Sequence, residues 1–462
     1  MIHKFSMQEI NVVIDVYSGA VHVVDDVVYD LLDYAAEIED SLNEGKECPE
    51  EIIGNFESKY SDVQIQGAYK EISQLKEQGL MFSEDLYEQY ISFWDKQSVV
   101  KALCLHIAHD CNLRCKYCFA STGSFHGSRS LMSSDIGKKA IDFVIANSGK
   151  RKNIEIDFFG GEPLMNFGVV KEVVEYAKEK GQAAGKVFRF TITTNGLLLS
   201  KEIQEYINEN MCNIVLSLDG TKTVNDNMRP RIDGRGCYDQ IVPKFKEVAE
   251  SRGQDNYYVR GTFTRHNLNF AEDVLHLADL GFKQTSVEPV VAHPSEDYAL
   301  REEDLPILFK EYEKLAVQYL KRKKEGNGFN FFHFMIDLTQ GPCAAKRLSG
   351  CGSGYEYMAV TPEGDIYPCH QFVGNEEFKM GNVSDGQIQE DIKKIFTKSN
   401  VYTKGKCKDC WAKFYCSGGC PANAYQFNGD IDEPYAIGCE LEKKRVECAL
   451  MIQAAQAIAS TL

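Results

Sequence analysis

Six short apolar runs, interleaved with helix-length segments, limit what this chain can fold into more than any other feature. They are ALCLHIAHD (102–110), IEIDFFG (154–160), KVFRFTITTN (186–195), NIVLSLDG (213–220), YYVRGTFT (257–264) and KQTSVEPV (283–290). The segments 133–147, 167–180, 201–209, 241–251 and 271–280 lie between them. Strands that alternate with helices predict a parallel sheet joined by right-handed crossovers. The fold class is therefore α/β. We read a partial (β/α)6, TIM-like barrel over 100–295, with its functional groups at the C-terminal strand ends. A doubly wound open sheet is the alternative that the pattern alone leaves standing.

The flanks read differently. The 462 residues are 44% apolar and 26% charged, enough for packed cores. No apolar run reaches the roughly 18 residues of a membrane span. The opening MIHKFSMQEINVVIDV is too polar for a signal peptide, so a cytoplasmic location is expected. Residues 1–100 hold 6 basic and 21 acidic side chains, which is −15 of the chain's −17. Such asymmetry predicts an appended module with its own partner, and it excludes nucleic acid because that surface repels phosphates. Within 1–95, residues 10–25 read as a hairpin around Ser18-Gly19. Val28, Leu31, Leu32 and Ala35 recur at helical spacing, 50–60 and 69–78 read as helices, and Gly79 ends the last. LMFSEDLY (80–87) reads as the wing of a winged-helix-like unit. Residues 296–342 predict a linking helical segment and 441–462 a C-terminal helix. Between them, 343–440 is Cys- and Gly-rich, which suits a small fold stapled by metal.

The chain has 16 cysteines, and in a reducing compartment they point to metal ligation or catalysis rather than disulfides. The first strand runs directly into Cys111-x3-Cys115-x2-Cys118-Phe119. Three thiolates on one tight loop can hold three irons of a 4Fe–4S cube, leaving the fourth for an outside chelate, whereas structural zinc takes four ligands. The loop resembles that of the radical S-adenosylmethionine (SAM) enzymes. In that family the open iron chelates the methionine end of SAM, and an electron from the cluster cleaves it to a 5′-deoxyadenosyl radical. The resemblance extends to other strand ends. Gly160-Gly161-Glu162-Pro163 looks like the family's GGEP motif, with Glu162 accepting from the SAM ammonium. Thr194 and Asn195 fall where the family places polar SAM contacts, Ser217 and Asp219 end the fourth strand and are implied as further SAM contacts, with Ser217 meeting the ribose, and Arg229 resembles the arginine that pairs with the SAM carboxylate. Phe119 would lie near the adenine.

A second set follows: Cys351-x12-Gly364-x4-Cys369, then Cys407-x2-Cys410-x5-Cys416-x3-Cys420, then Cys439. This is similar to the SPASM pattern, whose domains hold two auxiliary 4Fe–4S clusters, so the resemblance implies three clusters in all. It implies Cys407, Cys410, Cys416 and Cys439 as ligands of a distal cluster, and Cys351, Cys369 and Cys420 as ligands of a proximal one. The remaining proximal iron is left either to Cys343 or open to a substrate thiolate. Cysteines 48, 104, 212, 237 and 448 read as packing or surface residues, and His106, His109 and His370 as neighbours of the ligands rather than ligands. A pair of zinc sites is the alternative reading of the C-terminal cysteines.

The N-terminal unit resembles the recognition domain of enzymes that modify ribosomally made peptides. There a leader peptide adds as a strand to the sheet edge, here at about 21–34. HKFSMQEINVVIDVYSGAVHVVDD and 341–372 most resemble the maturases of SCIFF peptides (six cysteines in forty-five residues). That family joins a Cys sulfur to a residue carbon, usually of Thr, in a sactionine-type thioether. The resemblance thus implies a Cys-rich precursor peptide and an external electron donor as partners. A sulfatase-activating enzyme that oxidises Cys or Ser, and a zinc-bearing regulator, are the rivals.

Overall fold

The structure is a computed structural model and describes residues 1–91, 99–338 and 344–461. Strands β1 (Ile2–Met7), β2 (Ile10–Asp15) and β3 (Ala20–Val24) form a small antiparallel sheet in the order β1-β2-β3. Ser18 Oγ donates to Asp15 Oδ2 at 2.9 Å in the β2–β3 turn, where Gly19 takes φ +75°. The β1–β2 turn is Gln8-Glu9, with both residues at positive φ (52° and 60°). Two helices, Asp26–Leu31 and Asp62–Glu77, pack against each other here and bury Val28, Leu31, Ile65 and Ile72.

The expected wing is absent. No strand forms in 80–87, and the third strand is β1. The polar groups of the segment are engaged elsewhere: the Ser83 amide donates to Asp15, the Leu80 carbonyl meets the His22 ring, and Asp85 accepts from Tyr402.

The large sheet contains β4 (Ala102–Ala108), β5 (Asn153–Gly160), β6 (Val187–Thr194), β7 (Asn213–Ser217), β8 (Tyr257–Phe263), β9 (Gln284–Pro289) and β10 (Asn330–Phe331). It continues through β11 (Tyr357–Val360), β12 (Asp365–Tyr367), β13 (Gly381–Asn382) and β14 (Gln387–Ile388). The order is β10-β9-β8-β7-β6-β5-β4-β11-β12-β13-β14. From β4 to β10 every pairing is parallel and sequential, so the winding never reverses as in a doubly wound sheet. β11 pairs in parallel with β4 on its other side, so the Cys-rich C-terminal part continues the same sheet. Every residue of β4 is buried, as expected of a strand covered on both faces. Helices Ser134–Asn147, Phe167–Ala184, Lys201–Asn210, Tyr238–Ser251 and Phe270–Asp279 are the crossovers. A helix Lys222–Met228 was not expected: it is polar and buries only Asn225 and Met228, so it has no apolar stripe. Leu305–Lys324 and Ala436–Thr461 are the linking and final helices. Among the described residues no helix is long and apolar enough to cross a membrane.

Candidate functional site

The carboxyl ends of β4–β9 surround a cavity of about 240 Å³. Cys111, Cys115 and Cys118 reach it from the loop after β4, Gly160, Gly161 and Glu162 from the end of β5, and Thr194 and Asn195 from the end of β6. Ser217, Arg229 and Phe119 complete the expected lining. Two close approaches shape this end. A Cβ on Gly160 would overlap the Ala108 carbonyl, and one on Gly161 the Asp110 carbonyl. Only glycine lets the chain after β5 press against the cysteine loop.

Glu162 is 1% exposed. Its carboxylate accepts from Thr194 Oγ1 and the Asn195 amide, both at 2.8 Å, and from the Leu164 amide at 3.0 Å. Burial pushes its pKa up to about 7 against the opposing pull of those bonds. Asn195 Nδ2 lies 3.7 Å from Cys111 Sγ and the Leu113 amide donates to the same sulfur at 3.4 Å, so polar hydrogens already face a thiolate position. Burial raises the Cys111 thiol to about 11 and Cys115 to about 12. Such thiols ionise when a cation sits among them.

Asp219 does not line the cavity; it stands behind it. Tyr117 Oη donates to both of its carboxylate oxygens, at 2.7 and 2.9 Å. Arg229 Nη1 donates to Tyr117 Oη at 2.9 Å and lies 3.8 Å from Asp219, while the Thr262 amide also bonds Asp219. Asp219 and Tyr117 thus aim the guanidinium, whose Nε is buried without a partner among the described residues. An anionic group entering the cavity would find that cation preorganised. Tyr117, Arg260 and Glu288, which also line this cavity, escaped the sequence reading, whereas His370 was read as a neighbour of the ligands and does line it. Arg260 and Glu288, paired at 2.5 Å, are the one charged residue of β8 and of β9, a signal that was legible. His370 packs on Phe119 and Phe159 at centroid distances of 5.5 and 5.1 Å.

Cys407, Cys410, Cys416 and Cys439 line a second cavity of about 520 Å³. Cys351, Cys369 and Cys420 come within electrostatic reach of one another, and burial first, then the other two sulfurs, raise the Cys369 thiol. Cys343 lies outside the described residues. Cys48, Cys104, Cys237 and Cys448 are buried and Cys212 is exposed. His106 Nδ1 and His109 Nε2 are 3.0 Å apart and pack on Phe125. Among the described residues no three His, Cys, Asp or Glu side chains form a chelating group for a single ion. The first three cysteines and the distal four instead stand around open cavities, which suits a multi-iron cluster. Donor chemistry, glycine approaches and the aimed arginine all fit an iron–sulfur cluster with an amino-acid chelate beside it.

Comparison with known proteins agrees. A 4Fe-4S single cluster domain matches residues 100–243, and the SPASM iron-sulfur cluster-binding domain matches residues 351–411. The chain is 25% identical over 332 residues to a cysteine-type anaerobic sulfatase-maturating enzyme of Clostridium novyi (strain NT), covering 68% of this chain and 86% of that one. It is 22% identical over 334 residues to the antilisterial bacteriocin subtilosin biosynthesis protein AlbA of Bacillus subtilis (strain 168), covering 69% and 64%. A solved structure described as native anSMEcpe with bound AdoMet shares the fold with a TM-score of 0.63 at 18% identity, covering 78% of this chain and 100% of that one. Three cysteines at a parallel-sheet mouth, a SPASM segment that continues the same sheet, and maturase relatives together place the chain in the radical SAM/SPASM family.

Proposed function

We propose that the chain is a radical SAM maturase of a ribosomally made, Cys-rich peptide, in which it forms intramolecular thioethers between Cys sulfur and a residue carbon, with Thr as the acceptor. Cys111, Cys115 and Cys118 hold the first cluster. Arg229 receives the SAM carboxylate, Glu162 and Asn195 the ammonium side, Ser217 the ribose and Phe119 the adenine. A reduced cluster bound there supplies the electron that cleaves SAM and so produces a hydrogen-abstracting radical. The protein's part is placement. Tyr117 and Asp219 hold Arg229, and the glycines bring the cysteine loop against Glu162. Each cross-link replaces one S–H and one C–H bond by one S–C bond. The hydrogen atom leaves with the deoxyadenosyl group, the thiol proton goes to solvent, and one electron remains. Acceptors for that electron are what the distal set (Cys407, Cys410, Cys416, Cys439) and the proximal set (Cys351, Cys369, Cys420) would house.

The observation that carries the peptide reading is the edge of the small N-terminal sheet. Among the described residues β3 pairs with β2 alone, and its Val23 is 48% exposed. An open edge with unpaired backbone groups accepts an added strand, which suits an extended leader. The solved sulfatase-type structure is covered completely by 78% of this chain, and a unit of about the size of residues 1–95 is left over.

The sulfatase-activating reading is favoured by likenesses to sulfatase-maturating enzymes, among them the relative from Clostridium novyi. Coexpression with a Cys-rich peptide encoded nearby separates the two. Loss of two hydrogens per bond, with the linked sulfurs resistant to alkylation, supports the maturase. An unchanged peptide, alongside oxidation of Cys or Ser in a sulfatase-derived substrate, refutes it. Anaerobic reconstitution should give about twelve irons per chain, for three clusters.

A further inference from the structure

The distal cysteine loop is gripped from far away in the chain. Lys413, between Cys410 and Cys416, is 2% exposed. A buried ammonium is tolerated only when it is paired. Its Nζ donates to Asp85 Oδ2 at 3.1 Å and to the Lys408 carbonyl at 3.0 Å. The rings of Tyr402, Tyr17 and Phe414 lie 4.7, 4.8 and 5.3 Å from it, in cation–π range. Asp85 also accepts from Tyr402 Oη at 2.7 Å, and Glu88 pairs with Lys408 at 2.8 Å. Trp411 stacks on His3, with centroids 3.7 Å and planes 3° apart, and His3 Nε2 meets Glu447 at 3.1 Å. Val16, Cys407 and Phe414 share one apolar cluster.

Apart from Glu447, the C-terminal residues held this way by Asp85, Glu88, His3 or Tyr17 lie within 402–416. That run has little regular structure of its own, since its helices Gly405–Lys408 and Lys413–Cys416 are four residues each. An irregular loop that must present three thiols at fixed spacing needs outside support. We propose that Lys413 is a positioning residue of the distal cysteine site, and that its pairing with Asp85 makes the N-terminal unit a structural part of that site. This rests on reading Cys407, Cys410, Cys416 and Cys439 as cluster ligands. Tyr17 lies in the turn between β2 and β3. The hairpin with the open strand edge therefore touches the cysteine loop with its tip. Deleting residues 1–95 removes part of the distal site along with the peptide platform, so only full-length point variants separate the two roles.

The test uses full-length wild type, Asp85→Asn, Lys413→Met and Lys413→Arg, purified and reconstituted without oxygen. Iron and sulfide are counted, and the distal cluster's electron paramagnetic resonance signature and midpoint potential are recorded. The metal-free forms are alkylated, and modification at Cys407 and Cys410 is followed by peptide mapping. Asp85→Asn and Lys413→Met are expected to lose about four of about twelve irons while still cleaving SAM at the first cluster. Their metal-free forms should alkylate several-fold faster at Cys407 and Cys410. Lys413→Arg keeps the cation and should restore both count and signature. If Lys413→Met does not fold, Asp85→Asn decides. A wild type that never binds distal iron overturns the cluster reading, and the alkylation rates then decide the latch alone. A wild type with about twelve irons, and variants with the same count, signature and alkylation rates, overturns the proposal.

Discussion

Gly161 sits where the chain leaving β5 meets the cysteine loop, and the space there ends at the glycine hydrogen. Gly161→Ala forces a shift of the Asp110–Cys111 backbone without touching the strands. Displacing reacting groups by about 1 Å costs on the order of 10²-fold in rate. Deoxyadenosine formation by the reconstituted variant should fall by about that factor while its circular dichroism matches wild type. Asp157, on β5, makes a different point. Its Oδ1 is buried without a partner among the described residues, and burial raises its pKa from 3.8 to about 7 despite Arg260. The folded chain therefore holds a proton there that the unfolded chain has released, so this group's contribution to stability falls as pH rises from about 4 to about 7. Asp157→Asn removes that titration. Denaturant melts of the metal-free protein should show no advantage for the variant near pH 4 and one on the order of 2–4 kcal/mol above pH 7. An advantage independent of pH would exclude an ionising Asp157.

Elements differ in how openly the chain announces them. Ser200 shows the simple case. Its side chain accepts from the Ile203 amide at 3.3 Å and caps helix Lys201–Asn210, which lies just beyond the Thr194-Asn195 strand end. Ser200→Ala should cost about 1 kcal/mol in a thermal or denaturant melt and leave SAM cleavage unchanged, because the cap faces solvent rather than the cavity. The parallel strands were equally plain: β4, buried on both faces, is a nearly unbroken apolar run, and β5 to β8 alternate buried, mostly apolar residues with more exposed ones. So was the gathering of strand-end residues around one cavity, because a sequential parallel sheet puts consecutive strand ends on one side. β1 was not legible. Its turn, Gln8-Glu9, adopts a doubly positive-φ conformation normally marked by Asn-Gly or Asp-Gly. The supposed wing failed for the opposite reason. LMFSEDLY carries strand-like residues, but distant partners such as Tyr402 and Lys413 claim Asp85. Asp219 was half legible: it was read as a contact to SAM, whereas its role as a brace for Arg229 depends on a tyrosine 102 residues away.

At the scale of the whole molecule, charge and architecture divide in different places. The sheet runs unbroken from β10 to β14, so the first cysteine loop and the C-terminal cysteines share one scaffold. The acidic excess, by contrast, is confined to the first hundred residues, at −15 of −17. A surface so charged beside an open strand edge favours a leader with Lys and Arg among its residues. Backbone pairing along β3 is insensitive to salt, whereas attraction between exposed charges is screened once the Debye length shrinks from about 10 Å at 0.1 M salt to about 3 Å at 1 M. Affinity for a fluorescently labelled precursor should therefore weaken by roughly tenfold between 0.05 and 0.5 M salt, with most of the loss in the association rate. Reversing single acidic residues next to β3, for example Asp25→Lys or Asp26→Lys, should flatten that dependence and leave SAM cleavage without peptide as it was. Binding that is tight but equally strong at both salt concentrations would mean that the acidic surface serves something other than the leader.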